Sequence, residues 1–168
     1  MIEGSSLSPI LSPLQQVLRQ NKLTIAVAES CTGGLVAAAL TDLPGSSEYF
    51  LGGVVTYANA AKVKLLEVDQ ATLDSVGAVS REVAEQMARG AQKLFQCDVA
   101  VSVTGIAGPD PEPDPDTPKP VGLTFIGACR GDNVLVREYR WNGGRAANRV
   151  ASVEAAIALA TEISASAT

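Results

Sequence analysis

The sequence contains no histidine. Without imidazole the chain cannot build a Ser-His-Asp triad, a Cys-His pair or a His-ligated metal site, so any nucleophile it carries needs another base, for which lysine is the known alternative. Cysteine is scarce as well. Cys31, Cys97 and Cys129 are odd in number, far apart and without a CxxC pair, which argues for free thiols and against a disulfide framework or a zinc site. Positive charge is in deficit, with 13 Lys+Arg against 18 Asp+Glu and a net charge of -5, the reverse of what a phosphate-binding nucleic-acid face needs. No apolar run approaches the roughly 20 residues that span a bilayer. The start "MIEGSSLSPILSPLQ" lacks the basic opening and continuous apolar stretch of a signal peptide. These absences predict a cytoplasmic protein with no nucleic-acid partner, no membrane partner, no metal and no cofactor.

What is present is enough for one core. With 168 residues, 46% of them hydrophobic, a single domain over residues 1–168 is expected, with a flexible lead over 1–13 and a first helix from Leu14 to about Asn21. "LTIAVAE" (Leu23 to Glu29) reads as a strand, followed by a Gly-Gly turn and an Ala/Leu-rich helix to about Thr41. "DLPGSS" breaks the chain. "YFLGGVVTYAN" then predicts a strand centred on Val54 to Tyr57, and a helix around Ala60 to Leu66. Ser80 is the expected N-cap of a helix that carries Val83, Met87 and Ala91 on one face and leads into the strand "CDVAVSVTG". Residues 109–118 form an acidic, Pro-rich surface loop. A hairpin through Gly131-Asp132 and a long last helix complete an α/β fold, a three-layer α/β/α sandwich with a mixed sheet.

In open α/β sheets ligands bind beyond the carboxyl ends of the strands. Three such ends are small and polar here: Ser30-Cys31-Thr32-Gly33-Gly34, Tyr57-Ala58-Asn59 and Thr104-Gly105-Ile106-Ala107-Gly108. A helix starting at Gly33 is expected to aim unpaired N–H groups at a bound phosphate or oxyanion. Each residue also has a structural reading. A serine before a helix is more often a cap than a nucleophile, a tyrosine at a strand end is more often a rim residue, and a helical lysine is more often a solvated charge. Arg145 after Gly143-Gly144 reads equally as a surface residue, and Gly105 and Gly108 as turn formers. Neither GxxxxGK[ST] nor a GxGxxG after a strand occurs.

The stretches "AESCTGGL", "DLPGSSEYFLGGVVTYANAAKVKLLEV", "GAVSREVAEQMARGA", "VAVSVTGIAGP" and "KPVG" together resemble the CinA C-terminal-domain family, the nicotinamide-nucleotide amidases, from about Lys22 to about Ala158. The resemblance implies an α/β/α sandwich in its stand-alone form, without the large N-terminal domain of CinA proteins. It implies hydrolysis of the carboxamide of nicotinamide mononucleotide to nicotinate mononucleotide and ammonia. By the same resemblance Ser30 corresponds to the nucleophile, and Lys62 is the base, acting directly or through Tyr57. A neutral amine at Lys62 is expected from burial beside cations such as Arg145. Thr32, Gly33, Gly34 and Gly105 would supply oxyanion contacts, while Arg145 and Arg149 would suit the phosphate. Asn59, Thr104, Ala107 and Gly108 match further family positions that face the nucleotide.

The chain departs from the family pattern after "GIAGP", where the acidic, Pro-rich "DPEPDPDTP" replaces a glycine-rich stretch. Two other readings accompany the amidase: a non-catalytic nucleotide-binding or regulatory module of the same fold, and an α/β domain whose strand ends are only caps and turns. Cys31 is the competing nucleophile. The run "YFLGGVVTY" and the hairpin suggest exposed surface that a partner subunit would cover, hence a homodimer.

Overall fold

The computed structural model describes residues 8–111 and 118–166. The elements are α1 (Ser8–Asn21), β1 (Ile25–Glu29), α2 (Leu35–Thr41), β2 (Phe50–Val55), α3 (Asn59–Leu66), α4 (Gln70–Val76), α5 (Arg81–Phe95), β3 (Val99–Gly105), β4 (Leu123–Arg130), β5 (Asn133–Arg140) and α6 (Arg145–Ala165). The sheet order is β2-β1-β3-β4-β5. β1 pairs in parallel with both β2 and β3, whereas β4 and β5 each run antiparallel to the strand before them. The sheet is therefore mixed, and helices cover both faces as the patterning predicts.

Burial separates central strands from edges. Every residue of β1 is buried, the mark of a strand covered on both faces, and β3 is buried up to its last residue. β2, at an edge, alternates half-buried with exposed positions. One core cluster joins Leu11, Leu14 and Leu18 of α1 and Ile157, Leu159 and Ile163 of α6 to Val27, Val101 and Ile126 on one face of the sheet. The other joins Val83, Met87 and Ala91 of α5 to Ala26, Ala28 and Ala100 on the opposite face. The alanines of β1 and β3 are what let α5 lie close to the sheet.

Several boundaries move. α1 begins at Ser8 rather than at Leu14, because Leu11 continues the buried stripe one turn toward the N-terminus. Residues 8–13 are thus helical and not a flexible lead, while residues 1–7 lie outside the described residues, as do 112–117 of the acidic loop. β2 ends at Val55, so Thr56 and Tyr57 fall in the link to α3. α4 is an added helix, capped by Asp69, whose side chain accepts from the Ala71 N–H. Ser80 caps α5 as predicted, accepting from the Val83 N–H. α1, α3 and α5 are followed by Lys22, Glu67 and Gln96, all at positive φ, where glycine is the usual residue. No helix among the described residues is long and apolar enough to cross a membrane.

Candidate active site

Parallel pairing of β1, β2 and β3 brings their carboxyl ends together, and a cavity of about 300 Å³ opens there, within the size range of small-molecule sites. Ser30 and Cys31 enter it from the end of β1, Tyr57, Asn59 and Lys62 from the link and start of α3, and Arg145 from the first turn of α6. Thr104, Gly105, Ala107, Gly108 and Asp110 line it from the end of β3.

Lys62 is the largest of the fully buried side chains, only 1% exposed. Its Nζ donates to Thr56 O at 2.7 Å, Ser30 Oγ at 3.2 Å and Tyr57 O at 3.3 Å. Placing Thr56 and Tyr57 after the last ladder residue of β2 frees their carbonyls to turn toward α3 and receive that amine. Ser30 is 8% exposed, and its own N–H is tied to Val103 O of the neighbouring strand at 3.0 Å. The hydroxyl is thus held at the floor of the cavity with an amine beside it, the geometry that Ser-Lys chemistry requires. It does not cap α2: the N-cap residue is Gly34, with no side-chain cap bond.

Tyr57 is 59% exposed and lies at the rim. Its hydroxyl accepts from Arg145 Nη2 at 3.3 Å, so the phenol faces the arginine and it is the Tyr57 carbonyl that meets Lys62. Arg145 Nη1 donates to Gly108 O at 2.7 Å. Its guanidinium is the exposed cation of the cavity wall and can face an anionic ligand group. Thr104 Oγ1 donates to Ala78 O at 2.8 Å. Gly105 is required by packing, since a Cβ there would stand 2.6 Å from Thr124 Oγ1 and 2.9 Å from Leu123 O.

Thr32, Gly33, Gly34 and Arg149 lie outside the cavity lining. The expected anion site at the start of α2 is overturned. Glu29, the last residue of β1, is 1% exposed; its Oε2 accepts from the N–H of Gly34 at 2.9 Å and Val36 at 3.1 Å, and its Oε1 from that of Ala37 at 2.8 Å. Gly33 N–H bonds Ser30 O, and Leu35 N–H bonds Thr32 O. The chain's own carboxylate occupies the place that a ligand anion would take. Arg149 Nη2 donates to Thr32 O at 2.8 Å.

Cys31 is buried against Ser30, and its thiol is pushed up to about 11, chiefly by burial and further by the Glu29 charge. It stays a thiol at neutral pH, and the thiol is the poor nucleophile of the two sulfur forms.

Sequence reasoning missed two residues. Glu29 carried a readable signal, because an acid ending an apolar strand needs donors, and the nearest unpaired ones are the first amides of the helix that follows. Asn148 carried a weaker one. It is 2% exposed, accepts from Gly143 N–H at 3.0 Å and donates to Ala107 O at 3.1 Å, so it ties α6 to the loop after β3.

The fold and site define a class: an α/β/α sandwich with a buried serine-lysine pair at the strand ends and an arginine-tyrosine pair at the rim. Comparison with known proteins identifies the family. The model of the CinA C-terminal domain matches residues 8–163, and the chain belongs to that family. It is 46% identical over 143 residues to a CinA-like protein of Geotalea uraniireducens and 49% identical over 147 residues to one of Chlorobaculum tepidum. It covers 33% and 34% of those relatives, and 85% and 84% of its own length is matched. The chain therefore spans about a third of the curated relatives it matches. Among solved structures, the competence/damage inducible protein CihA from Agrobacterium tumefaciens is 40% identical with a TM-score of 0.84, covering 92% of this chain and 94% of that one. A CinA superfamily protein from Escherichia coli is 30% identical with a TM-score of 0.86, covering 98% and 92%.

Proposed function

We propose that this protein is a metal-independent amidohydrolase that converts nicotinamide mononucleotide and water to nicotinate mononucleotide and ammonia. The observation that carries the reading is the 3.2 Å contact between the Lys62 amine and the Ser30 hydroxyl at the floor of the cavity. At that separation a proton can pass between the hydroxyl and the amine, which is the geometric requirement for a general base.

Ser30 Oγ adds to the carboxamide carbon while Lys62 Nζ takes the hydroxyl proton. The tetrahedral oxyanion falls to the amide of Cys31, which lines the cavity beside Ser30, because those of Gly33 and Gly34 are already engaged. Collapse breaks the C–N bond, Lys62 returns the proton to the leaving nitrogen, and ammonia departs from an acyl-Ser30 ester. Water then adds to the ester with Lys62 again as base, releasing the carboxylate product and restoring Ser30. Arg145 holds the phosphate, and Tyr57 shapes the rim beside it.

The test is ammonia and nicotinate mononucleotide release from nicotinamide mononucleotide, with and without chelator. Equal turnover in both supports the reading. No turnover of the folded wild-type chain, or loss of turnover with chelator, refutes it. Ser30→Ala is expected to retain substrate binding and fold while turnover vanishes.

A further inference from the structure

Arg145 and Arg149 leave α6 one turn apart, a spacing that places both on one helix face. The structure nevertheless sends them to different loops. Arg145 lines the cavity, whereas the half-buried Arg149 reaches the loop after β1 and donates from Nη2 to Thr32 O at 2.8 Å. Its Nε is buried with no hydrogen-bond partner. A Cβ at Gly33 would stand 3.3 Å from the same Nη2, so this loop and the guanidinium are in close contact. On the other side of that loop, the buried Glu29 carboxylate receives the amides of Gly34, Val36 and Ala37. Residues 30–34 are therefore gripped between an internal anion and an internal cation. Both grips are charge-assisted hydrogen bonds to backbone, roughly twice as strong as neutral ones.

We infer that Arg149 and Glu29 are positioning residues for the nucleophile: acting through the backbone of Thr32 and Gly34, they hold Ser30 Oγ within reach of Lys62 Nζ, and Arg149 is not a ligand of the substrate phosphate. The inference rests on the assignment of Ser30 and Lys62 above. A guanidinium on the Thr32 carbonyl at the middle of the loop and a carboxylate on the Gly34 amide at its end fix the path of the chain that Ser30 begins. Displacement of a reacting group by about 1 Å costs on the order of 100-fold in rate.

The experiment compares the full-length wild type with Arg149→Met, Arg149→Lys and Glu29→Gln. Two readouts are taken: kcat and KM on nicotinamide mononucleotide and on nicotinamide riboside, which lacks the phosphate, and the rate at which a fluorophosphonate modifies Ser30, followed by intact mass. Arg149→Met is expected to lower kcat by about 10- to 100-fold on both substrates with KM unchanged, and to slow labelling by a similar factor. Arg149→Lys restores part of both rates, because an ammonium can still donate to Thr32 O. A KM increase confined to the mononucleotide makes Arg149 a phosphate ligand and overturns the inference, as does labelling of Arg149→Met at the wild-type rate. Should Glu29→Gln fail to fold, the Arg149 pair decides alone. A wild-type chain that is labelled at Ser30 yet hydrolyses neither substrate removes the amidase reading and leaves the labelling comparison to decide the positioning role.

Discussion

The loops after β1 and β3 leave neighbouring parallel strands for the same cavity, yet they are built in opposite ways. The β1 loop is closed on itself: Glu29, Ser30 and Thr32 accept the amides that follow them, and Arg149 takes the outward Thr32 carbonyl. The β3 loop is held from outside, by Arg145 on Gly108 O and Asn148 on Ala107 O, and leaves Thr104 to Gly108 and Asp110 facing the cavity. On the proposed mechanism Ser30 must keep one position through the reaction, and a loop that satisfies its own amides suits that role. A binding wall must meet a ligand, and the cation among its two braces, Arg145, also lines the cavity where that ligand would sit. The contrast separates chemistry from recognition, and it can be attacked from either side.

The largest effect is expected at the β1 side. Lys62→Met, which keeps the buried stem and loses the amine, should reduce kcat roughly 1,000-fold with KM little changed. Lys64→Arg, on the exposed part of the same helix, should leave the rate as it is. Equal damage from both changes in steady-state assays would mean that the base lies elsewhere.

Next comes the β3 side. Arg145→Met removes a charge-assisted contact of about 1.5–3 kcal/mol, so KM for nicotinamide mononucleotide should rise about 10- to 100-fold while kcat holds. The riboside should show no such rise. A fall in kcat on both substrates would erase the distinction drawn between the two loops.

Asn148→Ala tests the brace rather than the ligand contact. It leaves the Gly143 amide and the Ala107 carbonyl without their buried partner, and should cost about 1–3 kcal/mol in urea unfolding. Turnover per folded molecule should change through KM, because the loop it holds belongs to the binding wall. A loss of kcat alone would place Asn148 with the nucleophile.

The last expected effect is on stability at alkaline pH. Burial pushes the thiols of Cys31 and Cys97 up to about 11 and that of Cys129 to about 12, from an ordinary value of 9.0. Above pH 9 the unfolded chain releases these protons while the native chain keeps them, so the native state binds more protons and stability falls from pH 9 toward 12. Urea midpoints measured under reducing conditions should decline over that window. In Cys31→Ala the decline should be shallower, and an unchanged slope would show that the β1 loop is less closed to water than its packing implies.

Much of this was legible from residue patterns. The alternation of apolar strands with helical runs announces the three-layer sandwich, and Ser80 with its Val83, Met87 and Ala91 stripe announces α5. Ser30, Tyr57, Lys62 and Arg145 were readable as candidates, and they do meet at one cavity. α1 was cut short because its opening six residues, "SPILSP", carry two prolines that read as breakers, although Leu11 packs into the core. α4 escaped because its seven residues contribute a single buried side chain, Leu73, too little for a periodic signal.

Residue types and their spacing alone rule out histidine chemistry, announce a mixed sheet and show which small polar residues end its parallel strands. These are local properties, set by side-chain type and by a hydrophobic period of two or 3.6. What those residues touch follows from the packing of the layers. It closed the α2 amides with Glu29 and sent Arg149 to Thr32 while Arg145 went to the cavity. It also turned the Tyr57 carbonyl, rather than its hydroxyl, toward Lys62. Each of these is a contact between groups whose direction depends on how α3 and α6 pack on the sheet. A hydrogen bond acts over about 3 Å, and sequence spacing does not resolve position that finely across packed layers.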